Sequence, residues 1–372
     1  VYFFRISNTT LKFAKRNPTG SSWEADLRML SLVLYCVIFV VGTLGNGLVI
    51  YVTGFKMKRT VNSVWFLNLA LADFLFTTFL IFPIISVSQE HRWIVGRVMC
   101  KLNTFVTVVN LFASVLILLA ISVDRCLATR VVVWAQNKRT VPKAKVLCLV
   151  IWIIAMSCSV PYATFRDIIE HENITYCVYS KQRTNEIHVI LTLFRFTVGF
   201  LIPFVGISVS YVAIYCRARS LQKKRQGRSR RIIIAVILAF LLCWLPFHIF
   251  ELLGLFSKNE QHQATVRAGG PVVVSLAFLN SCLNPILYVF MCDDFQKKLK
   301  QSICHVLESA LAEEHMSFMS SRSLSAHFSK ITRRSESAAP DDNKGTSSSL
   351  CPDDKGVLHF EATDTNDYPN KE

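Results

Sequence analysis

Seven long apolar segments set the limits on what this chain can fold into. As a helix, each is long enough to cross the hydrocarbon layer of a membrane, which needs about 20 residues. A single soluble helical core is disfavoured, because basic polar loops separate the segments. We therefore predict an all-α membrane protein built as a seven-transmembrane helix bundle. The segments are residues 29–53, 63–86, 102–122, 146–162, 187–216, 232–256 and 271–291.

Positive charge is unevenly distributed between the loops of this chain, whose formal net charge is +16. Loops 54–60, 125–145 and 217–231 hold 17 Lys and Arg and no acidic residue, whereas the alternating loops near 87–99, 163–186 and 257–270 hold 7. The positive-inside rule assigns the rich set to the cytoplasm, with the N-terminus outside and the C-terminus cytoplasmic. Because these charges flank spans, we expect them to meet membrane lipids and cytosolic partners, and no nucleic acid.

Two of the twelve cysteines, Cys100 and Cys177, lie in loops on the predicted outer side. Most of the others lie inside spans, where a thiol behaves as a small apolar side chain. Since the outer compartment is oxidising, we predict one disulfide between Cys100 and Cys177. It would tie the second outer loop to the top of the third span.

Four regions follow from this pattern. Residues 1–28 form an extracellular tail, 29–291 the bundle, 292–311 a short amphipathic eighth helix on the inner membrane surface, and 312–372 a disordered cytoplasmic tail. Sequons predict glycosylation at Asn8 and Asn173. Cys304 is a candidate for acylation beside the amphipathic helix. The candidate phosphorylation sites in the tail are Ser317, Ser320, Ser321, Ser323 and Ser325.

Three acidic or basic side chains other than His are predicted inside the membrane, where a charge is costly and points to a function. Asp73 lies in the second span, Arg195 in the fifth and Glu251 in the sixth. At that depth, Arg195 must face water, a carboxylate or backbone carbonyls. In the sixth span, Pro246 predicts a bend, because proline removes one helical hydrogen bond.

The spans also carry a series of landmark residues. In chain order they are Asn46, the Leu-Ala-Leu-Ala-Asp run that ends at Asp73, Cys100 with Cys177, Asp124-Arg125-Cys126, Trp152, Pro203, Trp244 with Pro246, and Asn284-Pro285 with Tyr288. Together they resemble the rhodopsin-like (class A) G-protein-coupled receptors. Within this family, the chain is most similar to the chemoattractant subgroup, first the chemerin receptors and next the formyl-peptide receptors. This similarity rests on residues 55–62, 64–68, 165–167 and 279–285, and it covers about residues 29–311.

The resemblance implies a ligand cavity in the outer half of the bundle. Its expected lining is Arg195, Glu251, Phe247, His248, Asn103 and Trp93. We predict that Arg195 binds a ligand carboxylate, such as a peptide C-terminus, through a charge-assisted hydrogen bond. The alternative is an internal ion pair between Arg195 and Glu251.

The resemblance also implies a relay from this cavity to the cytoplasm. The activation residues would be Trp244, Phe240, Pro246, Asn284, Pro285, Tyr288 and Tyr211. Below them, a structural sodium ion would be held by Asp73, Asn110, Ser114, Asn280, Ser281 and Asn284, since a hard cation suits oxygen ligands. No other cofactor is expected. The G protein would meet Asp124, Arg125 and Val132, with Asp124 paired to Arg125 at rest.

Three departures from the family pattern bear on these expectations. Pro83 lies two residues later than the usual proline, which we expect to change the bend of the second span. Val132 replaces a common proline in the second inner loop and weakens the expected coupling to a G protein. Formyl-peptide receptors use an acid and two arginines where this chain has Val108, Leu191 and Arg195, which favours a chemerin-like ligand.

We therefore predict a plasma-membrane receptor for a chemoattractant peptide or small protein, and not an enzyme. The expected partners are a heterotrimeric G protein of the inhibitory class, receptor kinases and arrestin. One alternative is a chemerin-binding scavenger or arrestin-biased receptor with weak G-protein coupling. Another is a receptor for formyl peptides or lipid mediators. A retinal protein is excluded, because residues 271–291 contain no Lys for a Schiff base.

Overall fold

The computed structural model is almost entirely helical over the residues that it describes, which are 22–171, 173–179, 184–220, 226–257 and 259–291. All of them belong to the compact unit Val1–Val306. In chain order, the described α-helices and β-strands are α1 (Ser22–Tyr51), α2 (Val61–Phe79), α3 (Ile81–Ser88), α4 (Gly96–Arg130), α5 (Val132–Lys138), α6 (Val141–Thr164), β1 (Arg166–His171), β2 (Ile174–Tyr179), α7 (Thr184–Phe196), α8 (Ile202–Ser220), α9 (Gln226–Phe256) and α10 (Glu260–Met291). Two π-helical turns, Val52–Lys56 and Thr197–Leu201, follow α1 and α7.

Seven spans in the described part are long and apolar enough to cross a membrane, which confirms the predicted bundle. They are Ala25–Lys56, Val61–Ser88, Gly96–Arg130, Val141–Thr164, Glu186–Arg217, Leu238–Phe256 and Gly269–Ile286. Large apolar side chains such as Leu44, Val209 and Leu242 lie exposed on them. Such faces suit lipid better than water. The predicted eighth helix and the two tails lie outside the described residues, except that α1 begins at Ser22.

The third span, α4, is the most enclosed of the seven. In its most apolar stretch, 67% of the residues are buried, against 28% in the first and fourth spans. Val108 and Phe112 belong to one apolar cluster of the bundle, and Ile117 and Ile121 belong to a second. Polar residues on such a buried helix need partners inside the bundle, because a buried polar group without a hydrogen bond is costly.

Two spans are irregular where prolines remove backbone donors. The second span is divided into α2 and α3, and Pro83 in α3 cannot donate to the carbonyl of Phe79. In the fifth span, a π-helical turn at Thr197–Leu201 separates α7 from α8, just before Pro203. By contrast, α9 continues through Pro246. The π turn follows directly on the end of α7, next to Arg195.

An antiparallel hairpin, β1 with β2, lies between the fourth and fifth spans, in the loop predicted to be the second outer loop. Its register pairs Ile168 with Cys177. The disulfide Cys100–Cys177 joins it to the third span, with the two Cα atoms 5.7 Å apart, which confirms the predicted bridge. The backbone N–H of Trp93 in the first outer loop donates to the carbonyl of Thr175 at 2.7 Å. The hairpin is therefore anchored at two points.

Candidate functional site

A buried ion pair links the fifth and sixth spans. Nη2 of Arg195, near the end of α7, donates a hydrogen bond to Oε2 of Glu251 in α9. The two residues are only 2% and 4% exposed. The ring centroids of Phe247 and Tyr162 lie 5.2 and 5.8 Å from Cζ of Arg195, within the range of cation–π attraction. The internal pair that was the alternative for Arg195 is thus formed in this structure.

A second buried arginine adjoins this pair. Arg166, the first residue of β1, is 2% exposed, and its Cζ lies 4.6 Å from the ring centroid of Tyr179. The Tyr179 side chain also hydrogen-bonds to Arg195, so one phenol connects the two guanidinium groups. Burial lowers the pKa of Arg166, and the nearby charge of Arg195 acts in the same direction. The hairpin and the fifth span therefore concentrate positive charge in a water-poor place.

An aromatic cluster extends from the ion pair along the sixth span. The ring centroid of His248 lies 4.8 Å from that of Phe200, 5.1 Å from Phe247 and 6.0 Å from Trp244. Phe240 stacks on Phe200, with centroids 5.7 Å apart and planes 6° apart. All five rings are buried. Because packed interiors leave little free space, displacement of Phe247 or His248 must be taken up by Trp244 or Phe200.

Trp93 and Asn103, both predicted to line the ligand cavity, are buried near the bridged end of the third span. The indole N–H of Trp93 donates to the carbonyl of Gly96 at 2.8 Å, which fixes the first outer loop. Asn103 lies three residues after Cys100 on α4, and its carbonyl accepts a hydrogen bond from Thr107 at 2.7 Å. Contact of either side chain with a ligand stays a prediction.

Polar side chains from the third and seventh spans converge on Asp73 of the second span. Its carboxylate is fully buried. Oδ1 accepts a hydrogen bond from Asn110 Nδ2 at 2.8 Å, and Oδ2 accepts one from Asn284 Nδ2 at 2.6 Å. Ser281 Oγ donates to Asn110 Oδ1 at 3.5 Å. Four of the six predicted sodium ligands thus form one cluster, whose donors offset the cost of burying a carboxylate.

The other two predicted sodium ligands, Ser114 and Asn280, are buried as well. Ser114 donates to the backbone carbonyl of Asn110 at 2.6 Å, a bond within its own helix. The combined set of carboxylate, amide and hydroxyl oxygens fits a hard cation. The amide nitrogens of Asn110 and Asn284 point at Asp73 here, so either amide must rotate before its oxygen meets a cation at that carboxylate.

At the inner end of the third span, Asp124 binds an arginine from the second inner loop. Nε of Arg139 donates to Oδ1 and Oδ2 of Asp124 at 2.8 and 3.1 Å, and Nη2 donates to Oδ2 at 2.8 Å. Nη2 also donates to Oδ1 of Asn62 at 2.6 Å. The partner predicted for Asp124 at rest was Arg125. The structure places Arg139 on this carboxylate, since a guanidinium from the loop can reach both oxygens with two nitrogens. The pairing of Asp124 with Arg125 stays a prediction.

Other predicted activation and coupling residues are described in part. Tyr211 is buried in α8. Pro246 and Pro285 lie inside α9 and α10 without ending them. The side chains of Val132 and Tyr288 lie outside the described residues, so their roles stay predictions.

Many membrane receptors share a bridged third span, an intramembrane carboxylate and a charged inner end. Comparison with known proteins therefore decides the family. The family described as "7 transmembrane receptor (rhodopsin family)" matches residues 45–288, more than half of the chain. The chain belongs to this family. The class A resemblance read from the landmark residues is therefore confirmed.

Several curated relatives of this rhodopsin-family receptor are chemoattractant receptors. The C3a anaphylatoxin chemotactic receptor of Danio rerio is 40% identical over 298 residues, which cover 80% of this chain and 82% of the relative. Chemerin-like receptor 1 of Homo sapiens is 38% identical over 321 residues, covering 79% and 83%. Chemerin-like receptor 1 of Rattus norvegicus is 39% identical over 362 residues, covering 85% and 95%. The chain is thus a multi-pass plasma-membrane receptor of the chemoattractant group, and these relatives confirm that it is not an enzyme.

The sequence reading of this receptor missed two arginines. Arg166 lies in the segment 165–167, which resembles chemerin receptors. Its position in the sequence did not predict that it would be buried beside Arg195. Arg139 was counted only as one of six cations in its loop. The sequence feature that could have predicted the contact of Arg139 is the acid Asp124 at the end of the preceding span.

The predicted modification sites of the receptor lie largely beyond its described part. Asn173 occupies the exposed turn between β1 and β2, with φ at 61°, a conformation that Asn tolerates better than most residues. This position is open to a glycan, and its modification stays a prediction. Asn8, Cys304 and the five candidate serines of the tail lie outside the described residues.

Proposed function

We propose that this receptor responds to a chemoattractant peptide or small protein of the chemerin type and activates G proteins of the inhibitory class. The observation that carries the proposal is 38% identity to human Chemerin-like receptor 1 across 83% of that relative. The proposed topology has the N-terminus outside and the C-terminus in the cytoplasm. It puts the disulfide-bridged hairpin in the oxidising compartment and the basic loops inside.

A ligand of the C3a type is the second candidate. The Danio rerio relative at 40% identity is named as a C3a receptor, so the similarity does not favour chemerin over C3a. Both candidate ligands require a site that binds part of a peptide or protein from the extracellular side. The same outer site serves either ligand in this proposal.

In the proposed binding mode, the ligand presents a carboxylate to Arg195, with Arg166 as the neighbouring cation. The burial of both guanidinium groups and the Tyr179 ring between them support this mode. A carboxylate can take two parallel bonds from one guanidinium, and exclusion of water strengthens them. The ligand must compete with Glu251 for Arg195, so binding breaks or rearranges the internal pair.

The proposed relay starts where the ligand displaces Phe247 or His248. Trp244 and Phe240 then repack, and the sixth span swings about Pro246. In the resting state, a sodium ion would be held by Asp73 with oxygens of Asn110, Ser114, Asn280, Ser281 and Asn284. The ligand drives the change only through its higher affinity for the active state.

At the cytoplasmic end, outward movement of the sixth span would give the G protein access to Arg125. Tyr211 and Tyr288 would move inward, and Val132 would face the G protein. Receptor kinases would then phosphorylate the serine-rich tail. The added negative charge would recruit arrestin and end signalling.

Stimulated cyclic AMP in cells that display the receptor tests this proposal. Chemerin's C-terminal peptide is expected to lower cyclic AMP, and toxin-catalysed inactivation of inhibitory G proteins should abolish the effect. Formyl peptides serve as the comparison and should have no effect. Arrestin recruitment without a cyclic AMP response would favour the scavenger or arrestin-biased alternative. If the peptide does not bind a surface-expressed receptor, the chemerin proposal is wrong, and a C3a peptide becomes the next ligand to test.

A further inference from the structure

The chain contains the tetrapeptide Lys-Arg-Thr-Val twice, each time where a span begins. The copies are residues 58–61 at the second span and residues 138–141 at the fourth. Thr60 and Thr140 are both exposed. Both are also extended, with φ −118° and ψ 164° at Thr60 and φ −120° and ψ 152° at Thr140. The chain therefore offers two chemically alike hydroxyls whose surroundings can be compared directly.

The hydroxyl of Thr60 is held by its own helix. Its Oγ1 accepts a hydrogen bond from the backbone N–H of Ser63 at 3.1 Å, and Ser63 Oγ accepts one from the backbone N–H of Thr60 at 2.8 Å. This reciprocal capping box fixes the first turn of α2. The next residue, Val61, is buried as well. A reaction at Thr60 has to break this arrangement.

The hydroxyl of Thr140 makes no cap hydrogen bond to the described first turn of α6. The residue three positions on is Lys143, whose side chain cannot complete a capping box. Pro142, two positions on, has no N–H to donate. Val141 is only partly buried. Thr140 thus presents an exposed hydroxyl between α5 and α6, and its side chain does not fasten the turn that follows.

Positive charge flanks Thr140 on both sides. Lys138 precedes it and Lys143 follows it, both of them exposed, and residues 125–145 contain no acid. An enzyme cleft that is complementary to this segment is acidic, as in the Ser/Thr kinases that select basic sequences. A phosphate on Thr140 would be attracted by both lysines and by the N-terminal end of α6. The segment therefore suits both the enzyme and its product.

We infer that Thr140 is a phosphorylation site for a kinase that selects basic sequences. The kinase transfers the γ-phosphoryl group of ATP to Thr140 Oγ1. An O–P bond forms there, the bond between that phosphorus and the oxygen of the departing ADP breaks, and the hydroxyl proton passes to a base of the kinase. The product carries about −1.5 to −2 charges at pH 7.

The phosphate lies one residue from Arg139, which binds Asp124 at the inner end of the third span. A partner that meets these basic loops is expected to present acidic groups, so the added negative charge weakens its binding. Phosphorylation of Thr140 thereby lowers coupling to the G protein. This effect rests on the proposed function, and access of a cytosolic kinase rests on the proposed topology.

Phosphate mapping on the purified full-length receptor tests the inference. The receptor is incubated with ATP and the catalytic domain of protein kinase C, and mass spectrometry measures the phosphate on each threonine. Synthetic peptides of residues 55–64 and 135–144 give the rate for each sequence without its fold. Relative to its peptide, Thr140 is expected to react about ten-fold faster than Thr60, whose cap must open first. No phosphate on Thr140, or equal relative rates, would overturn the inference.

Two variants with matched caps test the effect of the charge. Thr140→Asp and Thr140→Asn both place a good N-cap before α6 and differ by one negative charge. Each variant in lipid is mixed with a purified inhibitory G protein, and nucleotide exchange is recorded without agonist. Exchange is expected to be several-fold lower with Thr140→Asp than with Thr140→Asn. Equal rates would show that charge at this position does not lower coupling.

The two tests can fail separately. Equal Tm values for the two variants exclude a difference in folding as the cause of a difference in exchange. If neither the variants nor the wild type stimulate exchange, the proposed coupling to inhibitory G proteins is wrong. The phosphate mapping needs no agonist and no G protein, so it decides by itself whether Thr140 is a phosphorylation site.

Discussion

Asp124 in the third span and Arg139 in the second inner loop form a two-armed ion pair, with three N–O distances between 2.8 and 3.1 Å. Arg139 also donates to Asn62 of the second span at 2.6 Å. One guanidinium thus connects the inner ends of two spans with the loop between the third and fourth. This is the surface at which we propose that the G protein binds.

Loss of that contact is expected to destabilise the receptor. Arg139→Ala removes every hydrogen bond that Arg139 makes to Asp124 and should cost about 1–3 kcal/mol. The cost should fall toward the lower value, because the Arg139 side chain is still 22% exposed and water screens part of the interaction. Lys138→Ala, at an exposed neighbouring position, is the control. Thermal unfolding of the purified variants checks the prediction, and equal Tm values for Arg139→Ala and the wild type would contradict it.

Sodium is expected to lower agonist affinity through the Asp73 cluster. Exchange of sodium chloride for an organic-cation chloride at equal ionic strength should therefore raise the affinity for labelled chemerin peptide. Asp73→Asn should abolish this dependence, because it removes the only negative charge among the six proposed ligands. Ser114→Ala tests whether that hydroxyl contributes beyond its bond to Asn110. If sodium leaves the affinity of the wild type unchanged, the proposed site is wrong.

The disulfide should contribute strongly to folding. Cys177→Ser frees a segment of 77 residues, and loss of a native disulfide typically costs about 2–5 kcal/mol. We expect reduced surface expression and a lower Tm. Cys36→Ser, at an exposed free cysteine of the first span, is the matched control and should behave like the wild type. Normal expression and stability of Cys177→Ser would show that the hairpin holds its position without the bridge.

Close packing of the first and second spans depends on Gly42. A Cβ added there would lie 2.5 Å from Thr77 Cγ2, whereas one at Gly54 meets nothing within 4 Å. Gly42→Ala is thus expected to destabilise the bundle by about 1–3 kcal/mol, and Gly54→Ala should be neutral or slightly stabilising. Thermal unfolding of both variants decides this. A Gly42→Ala variant as stable as Gly54→Ala would show that the two helices separate at little cost.

Much of the architecture was predictable from sequence, because a membrane constrains a chain more than water does. Each span had to be a helix, since an unpaired backbone group in lipid is too costly. The prediction of Cys100 with Cys177 followed from the basic-loop pattern, which left those two cysteines on the oxidising side. Both predictions depend on local composition, and the structure confirmed both.

The choice of partner between distant charges was harder to predict. Arg195 had two plausible partners, and the pattern of spans could not decide between Glu251 and a ligand carboxylate. The carboxylate of Asp124 binds Arg139, fifteen residues later in sequence, and the sequence did not single out that arginine. Which charged residues pair depends on the rotation of each helix about its axis and on the conformation of the loops. The spacing of residues in the sequence predicts neither the helix rotation nor the loop conformation.

The proposed binding mode depends on recognition of a peptide carboxylate by Arg195, and a cycle of four affinities tests that recognition. Chemerin's C-terminal peptide is prepared as the free acid and as the C-terminal amide, and each is measured on surface-expressed wild type and Arg195→Ala. Amidation is expected to weaken binding to the wild type by about ten-fold or more and to have no effect on Arg195→Ala. Arg97→Ala, at an exposed arginine of the outer side, should keep the wild-type difference. Equal losses on wild type and Arg195→Ala, or no loss on the wild type, would contradict the claim.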